Sequence, residues 1–332
     1  MLSHGGRVLA ASRRYGIAPE HWLDLSTGIS PWSWLEDAAF QPSLESWAGL
    51  PEDQDGLLKS ALNYYGAPAL PVAGSQAAIQ LLPRLRAPSR VGILTPTYAE
   101  HAEHWQRAGH GVEALHARQL DQALPRLDVL VVCNPNNPDG RHLRRRHLLG
   151  YADALAARGG WLVVDEAFAD AAPEPSLAGD THRPGLIVLR SFGKFFGLAG
   201  ARLGFVMCQA WMRRRLREAL GPWHVAGPTR EVAIHALGDT GWQDRQVQRL
   251  NSSSRRLAWL LHDNGLSPCG GSALFQFVRV KHARALVHQL AAQAILVRGF
   301  RDCEGLRFGL PRTEQDWSRL RKALASCQRL AA

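Results

Sequence analysis

The order of apolar and amphipathic stretches predicts an α/β protein: a large domain with a mainly parallel sheet, a small C-terminal α/β domain and an N-terminal arm. Three observations carry this. Between residues 91 and 189, short apolar runs alternate with helix-like stretches, the order that gives parallel strands joined by right-handed crossovers. Residues able to do chemistry gather where those runs stop, and ligands of open α/β sheets sit at the carboxyl ends of strands. A joint rich in glycine and proline, Gly221-Pro222-Trp223-His224-Val225-Ala226-Gly227-Pro228, then precedes the last strands. The expected division is an arm over 1–45, a large domain over 46–222 and a small domain over 223–332. A chain of 332 residues supports two cores.

In the arm, His4-Gly5-Gly6 leads into a helical stretch over 7–15. Leu23-Asp24-Leu25-Ser26-Thr27-Gly28-Ile29-Ser30-Pro31 follows, with glycine and Pro31 calling for turns. Leu57, Leu58, Ala61, Leu62 and Tyr65 recur at helical spacing within 51–65. Val72-Ala73-Gly74-Ser75-Gln76 reads as a strand end, a turn and a helix start. Ser75 suits a cap, and backbone N–H groups at such a start suit an anion. Strands are expected over 91–94, 112–115, 127–133, 161–164 and 186–189, with helices from about 99 and over 144–157. A helix to about 220 and a long one to about 264 flank the joint. The small domain reads as strands over 273–280, 295–298 and 306–309, with helices over 282–292 and from 314.

The balance of charge is basic, +10 with a pI near 9.9, which suits anionic partners. Its arginine clusters, Arg144-Arg145-Arg146 and Arg213-Arg214-Arg215, fall in expected helices with apolar residues between them, as solvated helix faces do. No zinc-finger spacing, RNA-binding signature or helix-turn-helix extension accompanies them, so no nucleic-acid partner is expected. No run of about 18 apolar residues is present and the first residues lack a signal-peptide layout, so no membrane partner is expected either. Five scattered cysteines without a C-x-x-C pair point to reduced thiols and a cytoplasmic location.

Lysine is scarce: only Lys59, Lys194, Lys281 and Lys322 occur. Lys194 follows the apolar run 186–189 and stands between Gly193 and Phe195-Phe196, where desolvation favours the neutral, nucleophilic amine. Such an amine condenses with an aldehyde, although a lone lysine beside a core strand also snorkels to water. Ser191 and Arg202 flank it with a hydroxyl and a fixed cation suited to one phosphate. Upstream, Tyr98, the rigid turn Asn134-Pro135-Asn136-Asn137-Pro138-Asp139-Gly140, and Asp165 each follow an apolar run. Alone they suit a half-buried tyrosine, a structural turn and a capping or paired carboxylate. Arg298 and Arg307 each interrupt an apolar strand, where an uncompensated guanidinium is costly and bidentate binding of carboxylate or phosphate explains the placement.

In this order, over nearly the whole chain, these segments resemble the fold-type I pyridoxal-phosphate enzymes of the aspartate-aminotransferase superfamily, and within it the histidinol-phosphate aminotransferase group. The resemblance implies pyridoxal 5'-phosphate as cofactor, held covalently by Lys194. It assigns the cofactor phosphate to Gly74, Ser75, Gln76, Ser191 and Arg202. Tyr98 would stack on the pyridine ring, Asn137 would bond the phenolic oxygen, and Asp165 would keep the ring nitrogen protonated. Family sites form at a subunit interface, which implies a homodimer. The tyrosine that usually reaches the neighbouring subunit's site appears here as Trp47.

His4-Gly5-Gly6, Asp165-Glu166-Ala167-Phe168 and Pro222-Trp223-x-Val225 are similar to the threonine-phosphate decarboxylase branch of that group, which serves cobalamin biosynthesis. Phe168 stands where most aminotransferases of the group carry tyrosine, and Gly28 and Ser30 replace two asparagines of the branch. The implied reaction is decarboxylation of O-phospho-L-threonine to (R)-1-aminopropan-2-ol phosphate, with His4, Arg298 and Arg307 binding this small anionic phosphorylated amino acid. Arg312 is a weaker candidate. The alternative within the fold is a histidinol-phosphate aminotransferase. The alternative outside catalysis, a cofactor-sensing or nucleic-acid-binding regulator, requires an additional DNA-binding segment that the sequence does not display.

Overall fold

The computed structural model describes residues 4–171, 176–300 and 303–327. Among these, twelve strands follow one another: β1 (Leu23–Leu25), β2 (Ala69–Val72), β3 (Arg90–Leu94), β4 (Gly111–Leu115), β5 (Val129–Cys133), β6 (Trp161–Asp165), β7 (Leu186–Ser191), β8 (Gly204–Met207), β9 (Pro268–Ser272), β10 (Phe275–Arg279), β11 (Ile295–Phe300) and β12 (Gly305–Gly309). They build two sheets, one in each of two compact units.

The larger unit comprises Ser33–Asn137 and His142–Arg245, and its seven strands run in the order β2-β8-β7-β6-β5-β3-β4. β3 to β7 and β4 are parallel, as the alternation of runs predicts, while β8 lies antiparallel to both β2 and β7. Every residue of β5 and β6 is buried, which explains why those runs are continuously apolar instead of alternating. The core packs Val129, Val131, Trp161, Val163, Ile187 and Leu189 with Trp105, Ile79 and Leu216 from helices. The helix Leu57–Tyr65 ends at Gly66, whose left-handed conformation (φ 69°) lets its N–H reach the Leu62 carbonyl. The helix Gly227–Gly238 packs on it, and Arg230 bonds Asp55 at 2.6 and 2.9 Å. These contacts join 223–245 to this unit.

The smaller unit comprises the described residues of Met1–Trp32, Pro138–Arg141 and Gln246–Ala332. Its sheet runs β1-β11-β12-β10-β9. β1 adds to β11 in parallel, with Leu23 opposite Ile295, so residues 4–32 group with the C-terminal sheet instead of forming a separate arm. β9 pairs with β10 through a short turn; Pro268-Cys269-Gly270-Gly271-Ser272 lacks the β-branched residues that mark a strand in sequence. Its glycines serve close approach instead. A side chain on Gly140 would collide with the backbone of Gly271, and one on Gly270 with the Asp139 carbonyl, so segment 138–141 lies directly on β9.

Candidate active site

Four neighbouring parallel strands of the larger unit, β3, β5, β6 and β7, end on one edge of the sheet, and the residues singled out in sequence occupy their exits. β6 ends on Asp165, opposite Cys133 at the end of β5 and Leu189 of β7. β7 ends on Ser191, and the helical turn Phe192–Phe195 that follows carries Lys194 among buried Phe192, Gly193 and Phe195. The Lys194 Nζ lies 5.8 Å from the centroid of the Phe168 ring, within reach of a cation–π contact.

Asp165 is buried and accepts the Ala167 N–H at 3.1 Å. Its other oxygen meets His101 Nε2 at 2.9 Å, a contact between side chains 1% and 6% exposed. Burial alone would lower the His101 pKa. Its hydrogen bonds to Asp165 and Cys133 outweigh burial and raise it to about 10, so an imidazolium stands behind the carboxylate. The sequence reading missed His101. It lies one helical turn beyond Tyr98, and that spacing was the only available signal. His101, Cys133 and Asp165 bring their donor atoms within 4.8 Å of one another, the donor types of a zinc site, but here the imidazole bonds the carboxylate directly.

The phosphate candidates converge where β7, β8 and the helix Ser75–Leu81 meet. Gly74, not Ser75, takes the N-cap position, at φ 72°. A Cβ on Gly74 would stand 2.8 Å from Arg202 Nη2, so the glycine makes room for the guanidinium. Arg202 itself is left-handed (φ 51°, ψ 52°), a conformation costing about 1 kcal/mol or more for a non-glycine residue. Gly204, opposite Ser191, has no room for a side chain beside the Ser75 N–H. Gln76 differs from expectation in one respect: its side chain donates to Glu100 Oε2 at 2.9 Å and accepts from the Tyr98 hydroxyl at 3.1 Å.

In the turn after β5, Asn136 is fully buried and does the anchoring. It accepts from Thr97 Oγ1 at 2.9 Å and donates to the Pro96 carbonyl at 2.8 Å, tying the β5 exit to the β3 exit. Asn134 closes the loop through Leu143, donating at 3.1 Å and accepting at 2.8 Å. Asn137 follows them, half-buried. A second feature escaped the sequence reading: buried Arg190 donates to Asp170 at 2.6 Å and Glu166 at 3.3 Å, and Tyr64 donates to Asp170 at 2.8 Å.

In the smaller unit, Arg298 of β11 and Arg307 of β12 are directly opposite each other across an antiparallel pair. Arg307 is buried, lies 5.0 Å over the Phe275 ring and donates to the Ser26 carbonyl at 3.1 Å. Burial, then the charge of Arg298, push its pKa down to about 9; burial, then Arg7, lower that of Arg298. A guanidinium stays protonated in proteins, so both residues remain cationic. His4 is half-buried in the same unit. Gly5 packs on Ser26, and the Gly6 N–H donates to Ser26 Oγ at 2.8 Å. Arg312 is exposed.

The Aminotransferase class I and II family matches residues 60–324. A threonine-phosphate decarboxylase of Pseudomonas aeruginosa is 52% identical over 325 residues, covering 98% of this chain and 97% of that protein. One from a Sinorhizobium species is 40% identical, covering 98% of each. Among solved structures, histidinol-phosphate aminotransferase from Sinorhizobium meliloti, in complex with pyridoxal-5'-phosphate, superposes with a TM-score of 0.77 at 21% identity, covering 100% of this chain and 99% of that one. At that identity the likeness establishes the fold, which is that of the fold-type I pyridoxal-phosphate enzymes. With strand exits carrying Asp165 and Lys194 in the expected order and a match over most of its length, the chain belongs to the aminotransferase class I and II family.

Proposed function

We propose that the protein decarboxylates O-phospho-L-threonine to (R)-1-aminopropan-2-ol phosphate in the service of cobalamin biosynthesis; its 52% and 40% identical relatives are named threonine-phosphate decarboxylases. The structural observation that carries this reading is the Arg298–Arg307 pair, two partly or wholly buried guanidinium groups in register on neighbouring strands. Two guanidinium forks side by side suit a ligand with two anionic groups, and phosphothreonine brings both a carboxylate and a phosphate.

The residues of the larger unit fit pyridoxal phosphate. Close packing at Gly74 and Gly204 draws together Arg202, Ser191 and the backbone of Ser75 and Gln76, a set of donors that suits its phosphate. Tyr98 would line the ring and Asn137 the phenolic oxygen. Bound through Lys194, the cofactor supplies the electron sink that makes loss of carbon dioxide from Cα feasible. Asp165, backed by His101, holds a proton at the pyridine nitrogen. The Lys194 Nζ would deliver to Cα the proton that replaces the lost carboxylate. Phe168 lies within reach of that amine and has no hydroxyl to offer the phenolic oxygen. Arg307 holds the substrate carboxylate, Arg298 is shared between carboxylate and phosphate, and His4 adds a contact from the amino-terminal segment.

A homodimer and a cytoplasmic location complete the reading, supported by the exposed Leu44, Trp47 and Leu50 and by five scattered cysteines without a C-x-x-C pair. The test is incubation with phosphothreonine and no 2-oxoacid. Carbon dioxide should appear stoichiometrically with the aminoalcohol phosphate, and Lys194→Ala should abolish it. Glutamate formation from histidinol phosphate and 2-oxoglutarate, with no carbon dioxide from phosphothreonine, would establish the aminotransferase instead.

A further inference from the structure

We propose that Glu100 and His104 are positioning residues for the aromatic wall of the cofactor pocket, acting on Tyr98 through the side-chain amide of Gln76. The inference rests on the reading above in taking Tyr98 as the wall of the ring site. Four side chains form one chain of hydrogen bonds. Glu100 Oε2 accepts from Gln76 Nε2 at 2.9 Å and contacts His104 Nε2 at 3.0 Å, and Gln76 Oε1 accepts from the Tyr98 hydroxyl at 3.1 Å. Glu100 and His104 are 15% and 13% exposed, so water competes little for these bonds.

The direction of the chain follows from donor inventory. A carboxylate only accepts, so Glu100 must face the NH2 of Gln76, and the Gln76 carbonyl oxygen is thereby turned to Tyr98. The tyrosine hydroxyl is then obliged to donate, which fixes both its rotor and the tilt of its ring. Without the carboxylate the amide could present either end, and the ring would lose its single orientation. Burial, with the charges of Glu100 and Asp165, raises the Tyr98 pKa to about 12, in keeping with a hydroxyl held as a donor. Glu100 and His104 sit four residues apart on the helix Glu100–Arg107, and Gln76 on the helix Ser75–Leu81, so the ring is referenced to two helices. This also reassigns Gln76: its side chain serves Tyr98, and only its backbone N–H remains for the cofactor phosphate.

A double-mutant cycle on the holoenzyme tests the proposal. In Glu100→Gln the amide that replaces the carboxylate both donates and accepts, which removes the direction while keeping the shape. Cofactor release on dilution should quicken about fivefold, and the visible circular dichroism of the bound cofactor should weaken. In a Tyr98→Phe background the same substitution should change release by less than about twofold, because the hydroxyl it acts on is gone. Gln76→Leu should behave as Glu100→Gln does, and combining the two should add little. Equal effects of Glu100→Gln in both backgrounds, or an unchanged dichroism, would overturn the proposal. Failure of the wild type to take up the cofactor would instead count against the functional reading. The same four proteins, unfolded in urea without cofactor, would still report the Glu100–Tyr98 coupling, and its absence there would sink the chain itself.

Discussion

His101 carries a proton that its burial opposes, and this has a measurable consequence. Its pKa is raised from 6.5 to about 10 by Asp165 and Cys133 against the effect of burial. A folded-state pKa above the unfolded one stabilises the fold fully below about pH 6.5, and that contribution is lost as pH rises through about 10. His101→Gln keeps a donor to Asp165 but does not titrate. Between pH 7 and 10 the urea midpoint of the wild type should therefore fall more steeply than that of the variant; parallel curves would show that His101 releases no proton there. Arg298 and Arg307 make the other prediction at this scale. Each forms a charge-assisted pair in the proposed substrate complex, typically worth about 1.5–3 kcal/mol. Arg298→Ala and Arg307→Ala should each lower kcat/KM for phosphothreonine at least roughly tenfold, and Arg307→Lys should not restore it, because a point charge cannot replace a planar fork. Unaltered kinetics in either alanine variant would remove that residue from the substrate's partners.

An ion network joins the exits of β6 and β7. Arg190, on β7, is 5% exposed at its side chain and bonds Glu166, directly after β6, and Asp170 of the following loop, each also at most 4% exposed. Tyr64, at the end of the helix Leu57–Tyr65, closes the network on Asp170, and its neighbour Tyr65 presents its ring 5.0 Å from the guanidinium. Burial raises the Glu166 pKa and the Arg190 charge opposes that rise, so losing the cation would leave two acids without it in a dry place. Arg190→Ala should destabilise the larger unit by about 3–5 kcal/mol, read from urea unfolding. A loss below about 1 kcal/mol would mean that water enters and replaces the cation. The network lies one residue from both Asp165 and Ser191, so it also fixes the backbone that presents them.

Across the whole molecule, the basic charge of +10 accompanies a surface on which Arg214, Arg215 and Arg217 are exposed while Met212 and Leu216 of the same helix are buried. That is the solvated face expected of an amphipathic helix. Leu44, Trp47 and Leu50 contrast with it: they are 82%, 69% and 67% exposed within seven residues of chain. Apolar groups so clustered mark a contact surface, and the proposed homodimer provides it. Leu44→Glu combined with Trp47→Glu should convert a dimer to a monomer in sedimentation velocity. An unchanged sedimentation coefficient at dimer mass would place the interface elsewhere.

Fold class and the parallel strands of the large sheet were legible in the sequence, because continuous apolar runs such as 129–133 and 161–164 suit a sheet buried on both faces; the order of its strands and the antiparallel β8 were not. Lys194 was legible as a candidate because lysine is scarce here, and Asp165, Asn137 and Arg202 joined it through the family resemblance of their segments. β1 and β9 were not legible: three residues in one case and a proline-glycine run in the other carry no periodicity, and only pairing with β11 and β10 makes them strands. Nor were His101, Arg190 and the Glu100–Gln76–Tyr98 chain, whose partners lie 64, 24 and 22–24 residues away along the chain. A sequence determines which groups are available and where the backbone turns. Which carboxylate faces which imidazole, amide or guanidinium depends on burial that removes water as a competitor, and that is settled only when distant segments pack together.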